Sequence, residues 1–448
     1  MDYRNLATEL VAALRKQGVD ACDVMIVDSS EFNTDVRLGK IEKLEQNISK
    51  GLGLRIIKNG ATALTYTTDF TDKSVKSLVS DTLDIVKVSN ADQYNGLAPK
   101  EHLGAHEGKL ALFDESLARM SPEKKIEMAR EMEAAGMKFD KRITNTRGAN
   151  WSDATTRYTL ANSDGFASQY KTTMASLSVS FLAEENGVKQ TDYWYSFNRF
   201  VNRLASPKEI GEEAGRRVVA KLGGRKPKSQ KVPVVVDPMV SRGFVSMLFN
   251  AASGRNVHRK SSFLVDRVGQ EIASPLITVI DDAVIPDGPS SRPFDAEGVK
   301  SSQLTLIDKG VFKSYVCDAY AARRLGQRPT GHAARSYQSM PSVGSTNLYL
   351  KAGASDPKEM VKGVKNGLYL SAMFGQGTNL VTGDISRGAA GFWIENGEIT
   401  YPVQELTLAG NALSILKNIS AVGNDLSFKF GGTAAPTLLI SELTVGGA

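Results

Sequence analysis

The chain has 448 residues and a mass of 48.4 kDa. That is room for about three modules and for a core that needs neither a disulfide nor a structural metal. Hydrophobic residues make up 41%, charged residues 23% and mean hydropathy is -0.22, which fits a globular chain and excludes a membrane-spanning helix. Cys22 and Cys317 lie far apart in no CxxC pair, and the start Asp2-Tyr3-Arg4-Asn5 lacks the basic and apolar stretches of a signal peptide. The expectation is a cytoplasmic protein with no membrane contact.

Lys and Arg number 55 against 49 Asp and Glu, a formal charge of +6. Residues 221–231 (KLGGRKPKSQK) carry five of the positive charges, and Arg323, Arg324, Arg328 and Arg335 carry four more. Gly223, Gly224 and Pro227 make the first stretch read as a solvated linker. Neither stretch interleaves its charges with aromatics as a nucleic-acid face does, so nucleic acid is not the expected partner.

In chain order, Leu6, Leu10 and Leu14 recur every four residues and predict a helix over Tyr3–Lys16, stopped by Gly18. Strands are predicted at Cys22–Val27, Thr34–Leu38, Leu52–Ile57 and Ala63–Thr68, then a helix over Asp72–Val88. Residues 89–121 lack periodicity and hold Gly96, Pro99 and Gly104, the mark of a linker. Ser121-Pro122, Ser206-Pro207 and Asp356-Pro357 each set a capping oxygen before a proline at the first helical position. They predict helices over Glu123–Met137, Lys208–Lys221 and Lys358–Gly363, the last two with a capping-box Glu. Asn150–Val201, rich in Thr, Ser, Tyr and Val, predicts antiparallel sheet with turns at Asp164-Gly165 and Asn186-Gly187. Hairpins are predicted at Asn59-Gly60, Lys309-Gly310 and Asn396-Gly397.

After Lys231 the chain becomes mostly short strands with Gly-rich turns, carrying helices near Ser241–Ala252, Asp318–Leu325 and Asn411–Ile419. The fold class expected is α+β. Residues 1–225 form an N-terminal α/β half with antiparallel sheet and flanking helices, divisible into lobes 1–95 and 120–225. Residues 232–448 form a β-rich half, barrel- or sandwich-like.

Hydrolytic machinery is hard to find. The four histidines are His102, His106, His258 and His332. His102 and His106 have helical spacing, but Gly104 and Pro99 argue against a helix, and the expected state is a solvated linker. His258 reads as a surface residue and His332 as a loop residue. No GxSxG elbow, Walker A loop or dinucleotide fingerprint occurs, and Cys317 ends an apolar strand as an inert core thiol.

Several stretches resemble the TldD/PmbA family, most closely its PmbA (TldE) branch. They are Gly51–Thr68, Arg259–Leu264, Ser291–Gly298, Lys313–Tyr315, Pro341–Leu350, Val381–Gly397 and Val422–Leu426. The resemblance implies a cytosolic proteolytic system linked to antitoxin degradation, peptide-antibiotic maturation and, by older naming, modulation of DNA gyrase. Its TldD branch carries zinc on a helical His-Glu-x-x-x-His with a later Cys ligand. The corresponding residues here, Ser246–Gly254 and Phe428–Gly432, hold none of those ligands. The resemblance therefore implies no cofactor and no catalytic residue in this chain. Zinc is expected in a TldD-like partner with which it forms a heterodimer acting on unfolded or extended peptides; alone, the chain is expected to be capable of homodimerising. Asp384, Ser386, Arg387 and Arg335 are the candidate residues of a substrate cavity. Two alternatives stay open: a metallopeptidase in its own right, with a site built from scattered His and carboxylates, and a regulatory module acting on gyrase or nucleic acid.

Overall fold

The computed structural model describes residues 2–447. Helix α1 (Tyr3–Lys16) leads into strands β1 (Ala21–Arg37), β2 (Lys40–Lys58) and β3 (Ala61–Thr67). Helices α2 (Asp72–Val88), α3 (Glu115–Ala118) and α4 (Pro122–Phe139) follow, then β4 (Ile143–Asn162), β5 (Ala167–Glu185), β6 (Val188–Asn198) and α5 (Pro207–Ala220). The six strands make one antiparallel sheet in the order β3-β2-β1-β4-β5-β6.

Alternation along β1 decides what each face of this sheet meets. Cys22, Val24 and Ile26 point to the side covered by α1 and α2, and Phe32 and Val36 to the same side farther on, under α4 and α5. Asp23 and Met25 point the other way, where Met25 clusters with Leu160, Phe166 and Phe294 of the C-terminal half. The helices therefore take one face and the rest of the protein takes the other.

The strands outrun their apolar segments. Cys22–Val27 and Thr34–Leu38 belong to one strand, because Asp28–Glu31 hydrogen-bonds to β2 on one side and β4 on the other. Likewise β2 starts at Lys40, well ahead of the predicted Leu52. Paired backbone, not side-chain hydrophobicity, carries these stretches. The turns follow their dipeptides: Asn59-Gly60, Lys309-Gly310 and Asn396-Gly397 all place two consecutive residues at positive φ, the type I′ signature. Ser206 and Glu209 close the expected capping box, but at Asp356 the box is absent. There the Glu359 carboxylate turns to Lys362 Nζ, leaving Asp356 to cap the Lys358 N–H alone.

Residues 89–121 hold little regular structure, yet they are not a free tether. Leu103 bridges Val299, the His106 N–H donates to the Pro293 carbonyl at 2.8 Å, and Leu97, Ala98 and Leu110 are buried.

The C-terminal half opens with β7 (Gln230–Val236), α6 (Pro238–Ala252) and α7 (Gly254–His258). Next come β8 (Val279–Asp282), β9 (Gln303–Asp308), β10 (Val311–Phe312), α8 (Ala319–Leu325), β11 (Ala333–Ala334), β12 (Ser342–Val343) and β13 (Leu348–Leu350). The chain ends through α9 (Pro357–Lys362), β14 (Asn366–Phe374), β15 (Asp384–Glu395), β16 (Glu398–Asn411), α10 (Ala412–Lys417), β17 (Ile419–Val422), β18 (Thr433–Ala434) and β19 (Leu438–Gly446). Strands β16-β15-β14-β7-β19 run in that order, and pairing of β16 with β19 closes them into a five-stranded barrel. Within the barrel only β7 and β14 run parallel; the connection between them contains α6 and four strands of the second sheet, β10-β9-β8-β13, to which β18 adds in parallel from farther along the chain. Val234, Val236, Leu368, Leu370 and Ile440 belong to the large core shared by the barrel, α6 and that sheet.

Candidate functional site

Helix α6 brings half-buried side chains, Met239, Arg242 and Met247, to one cavity on a rigid element. Asp237 caps it by accepting the Met239 N–H at 2.8 Å, and Pro238 supplies the first helical position. Phe244, Val245, Leu248, Phe249, Ala251 and Ala252 are buried. Arg242 is the one charged residue in Pro238–Ala252. The face carrying Met239, Gly243 and Met247 floors a cavity of about 410 Å³. Its walls come from β6, α5, β14 and β15, through Trp194, Arg217, Phe374 and Arg387 among others.

The cavity is apolar at its base and cationic at its walls. Arg217, Lys221, Arg242 and Arg387 line it, against the single carboxylate of Asp192. Asp192 is buried and already paired, with Lys221 Nζ at 3.0 Å and Arg217 Nε at 3.3 Å. The Arg217 guanidinium also stacks 4.7 Å from the Trp194 ring. Arg242 donates through Nη1 to the Tyr195 hydroxyl and to the Phe430 carbonyl, both at 2.9 Å. Burial holds the Tyr195 hydroxyl above its ordinary range, against the pull of Arg242.

That Arg242–Phe430 bond joins α6 to the Phe428–Gly432 segment. One of the two stretches that the family resemblance aligns with zinc-ligand positions, Phe428–Gly432, is thus tied to the helix that carries the other, ahead of Ser246. At that junction α6 presents Met239 and Arg242 and the segment presents Lys429 and Phe430, while the carboxylates of the adjoining cleft, Glu209, Glu212, Glu213, Asp237 and Asp425, lie outside both aligned stretches. Thioether, guanidinium, ammonium and phenyl groups do not make a zinc site, which calls for thiolate, imidazole or carboxylate donors. Among the described residues no three His, Cys, Asp or Glu side chains cluster in a way that could hold a metal.

The four candidate residues do not share one place. Period-two alternation along β15 sends Ile385 and Arg387 into the cavity and leaves Asp384 and Ser386 exposed outside it. Asp384 is held below the ordinary carboxylate range by hydrogen bonds from Thr382 Oγ1 at 2.6 Å and Asn411 Nδ2 at 3.0 Å, a turn-fixing role. Arg335 lies on the back of the N-terminal sheet, its side chain 2% exposed and its Nη2 2.6 Å from Asp23 Oδ1. Asp23 also accepts from Arg55 Nε at 2.7 Å, and Arg55 reaches Glu297 at 3.4 Å. Most of the remaining basic run is similarly engaged: Arg323 bonds the Leu97 and Tyr94 carbonyls, and Arg324 pairs with Asp92. This part of the basic run thus fastens the two halves together.

The histidines divide as well. His332, expected in a loop, is 1% exposed, with Nδ1 2.8 Å from the Thr330 carbonyl and Nε2 3.3 Å from Asp281 Oδ1. Burial raises the Asp281 carboxyl, but His332 and Thr346 outweigh it and leave it below its usual range. His102 and His106 line a separate cleft with Glu101, Lys300 and Thr330, half-buried rather than solvated. Cys317 is fully buried with its thiol pushed up to about 12, an inert core group.

Three family models match the chain in order: PmbA/TldA metallopeptidase domain 1 over residues 22–86, the central domain over 115–222 and the C-terminal domain over 229–447. The chain is 34% identical to the metalloprotease PmbA of Escherichia coli O157:H7, across 96% of its own length and 92% of that protein. It is 26% identical to a metalloprotease TldD homolog of Haemophilus influenzae, across 99% and 97% of the two lengths. Among solved structures, a protein described as a modulator of DNA gyrase from Bacteroides thetaiotaomicron superposes with a TM-score of 0.93 at 29% identity, covering 100% of both chains. TldE from Thermococcus kodakarensis shares the fold, with a TM-score of 0.89 at 22% identity over 98% of this chain and 99% of that one. The chain belongs to the PmbA/TldD metalloprotease family, on its PmbA/TldE branch.

Proposed function

We propose that this chain is the subunit without zinc of a TldD/TldE-type protease, cytoplasmic, and paired with a TldD-like subunit that holds the metal. The observation that carries the reading is the junction of α6 with Phe428–Gly432. Met239 and Arg242 of α6 meet Lys429 and Phe430 there, neither Ser246–Gly254 nor Phe428–Gly432 holds a His, Cys, Asp or Glu, and the carboxylates of the adjoining cleft do not cluster as metal donors among the described residues. Zinc, where bound in the partner, supplies an activated water for peptide hydrolysis. This chain supplies walls: the cationic cavity on α6 faces an extended peptide, with Arg217, Arg242 and Arg387 available to its carbonyl and carboxylate oxygens.

The test is reconstitution. Cleavage of an unfolded peptide is measured for the TldD-like subunit alone, for this chain alone and for the two mixed. Activity that needs both, and that falls at least about tenfold with Arg387→Ala while the complex still assembles, supports the reading. Cleavage by this chain alone, abolished by a chelator, overturns it. Unchanged activity with Arg387→Ala removes the cavity from the proposal.

A further inference from the structure

The helical glycines of this chain have a packing reason, with one exception. Gly136, Gly211, Gly215 and Gly254 each have a neighbouring atom within 3.0 Å of the point where a Cβ would sit. Gly243, inside α6, has nothing within 4 Å of that point and no positive φ. Glycine is the least favourable interior residue of a helix apart from proline, and neither conformation nor packing within this chain calls for it here. What it keeps bare is the floor of the α6 cavity, which Met239 and Met247 also line. A bare patch of helix backbone lets a ligand approach closely.

The walls define the charge of that ligand. Of the four cations lining the cavity, Arg217 and Lys221 are paired with Asp192. Arg242 and Arg387 have no carboxylate partner among the described residues. Arg242 commits one terminal nitrogen to Tyr195 and Phe430. Arg387 makes a single long bond, from Nε to the Phe374 carbonyl at 3.4 Å, which leaves its terminal fork free. Such a fork meets a carboxylate through two parallel hydrogen bonds. The surface around it is apolar. Met239, Met247 and Met373 line the cavity, and methionine adapts to irregular apolar shapes. Tyr193 and Phe374 line it too, 52% and 53% exposed, with ring surface left for a ligand to cover. At about 410 Å³ the space is at the small end of ligand pockets. An internal Asp or Glu side chain offers the charge without the apolar group. A carboxylate and an apolar side chain on one residue is the C-terminal end of a peptide.

We infer that the α6 cavity is a pocket for the C-terminal residue of a peptide, its α-carboxylate on the Arg387 fork beside Arg242 and its apolar side chain laid over Gly243. The choice of a peptide rests on the protease reading; the joint demand for an anion and an apolar body does not.

Fluorescence anisotropy tests it, with an N-terminally labelled alanine pentapeptide closed by phenylalanine and the full chain without a partner. The free acid binds at least about tenfold more tightly than the C-terminal amide, which lacks the charge-assisted pair of hydrogen bonds. Arg387→Met, which removes the charge and keeps an apolar stem, brings acid and amide to within about threefold of each other. Gly243→Leu fills the floor and weakens binding of the acid by at least about tenfold. Its thermal midpoint does not fall, because leucine is the better helix former and its Cβ meets open space. Equal affinities for acid and amide, no binding of either at about 1 mM, or acid selectivity undiminished by Arg387→Met would each overturn the inference. So would full binding by Gly243→Leu, or a midpoint that this change lowers. None of these results bears on whether cleavage needs two subunits, which reconstitution decides. Cleavage by this chain alone would overturn the protease reading and leave the difference between acid and amide as measured.

Discussion

Glu297 offers a sharp test of how the two halves are held together. It is 3% exposed, with Arg55 Nη1 3.4 Å from Oε1 and the Ala319 N–H donating to Oε2 at 2.8 Å. Burial pushes its carboxyl from 4.5 up to about 7; Arg55 pulls it down, while Asp295 and Asp318 push it up. In the unfolded chain Glu297 ionises near its ordinary value, so between about 4.5 and about 7 the folded state binds the extra proton. Its contribution to stability is fully present below the lower value and is lost as pH rises through the upper one. At about 1.4 kcal/mol per tenfold change in proton affinity, the loss is roughly 3 kcal/mol by pH 8. Glu297→Gln removes the ionisation while keeping an acceptor for the Ala319 N–H. Urea unfolding of both proteins from pH 4.5 to 8.5 then shows curves that converge in acid and separate with rising pH, the variant being more stable at pH 8. A constant difference across the range, or a variant less stable at pH 8, refutes the reasoning and makes the ionised Glu297–Arg55 pair a net stabiliser.

Arg335→Ala leaves Asp23 buried with Arg55 as its remaining partner, and we expect a loss of about 3–5 kcal/mol in denaturant unfolding, as for a broken buried pair. Gly136→Ala forces a methyl to within 2.1 Å of the Phe181 ring and 2.7 Å of the Gly211 carbonyl, where α4 crosses α5. It costs about 1–3 kcal/mol by overpacking, read from the thermal midpoint. The Cys22 and Cys317 thiols, both pushed up to about 12 by burial, stay unreactive toward a thiol reagent at pH 8 until the chain is unfolded, when both react. Native-state labelling of either would contradict the packing described.

Local signals in the sequence carried far. The four-residue recurrence of Leu6, Leu10 and Leu14, the Ser-Pro starts and the Asn-Gly turns act within a few residues, and the helices and hairpins they predict are present with ends within about three residues of those expected. Pairing and burial are long-range and were not legible. Asp28–Glu31 and Lys40–Lys50 are too polar to announce strands, and they become strands because β1, β2 and β4 lie alongside one another. His332 read as a loop residue and Arg335 as a cavity candidate, and both are buried where Asp281 and Asp23 meet them from distant parts of the chain. Of the residues named from the sequence, Arg387 lines the cavity on α6, and its neighbours Asp384 and Ser386 fall on the opposite side of β15. Arg242 was missed, although a lone charge in the mainly apolar helix Pro238–Ala252 was a signal that it faces something other than the core.

The most direct measurement is the metal content of the purified chain. It is dialysed against a slight excess of zinc and assayed by mass spectrometry, beside a TldD-like subunit treated in the same way. With methionine, arginine and phenylalanine at the junction of α6 and Phe428–Gly432, the account predicts one zinc per TldD-like subunit and a substoichiometric trace on this chain. One tightly held zinc per copy of this chain, lost on changing His102 and His106 or His332, would contradict it and place a metal site where the structure shows no donor cluster among the described residues.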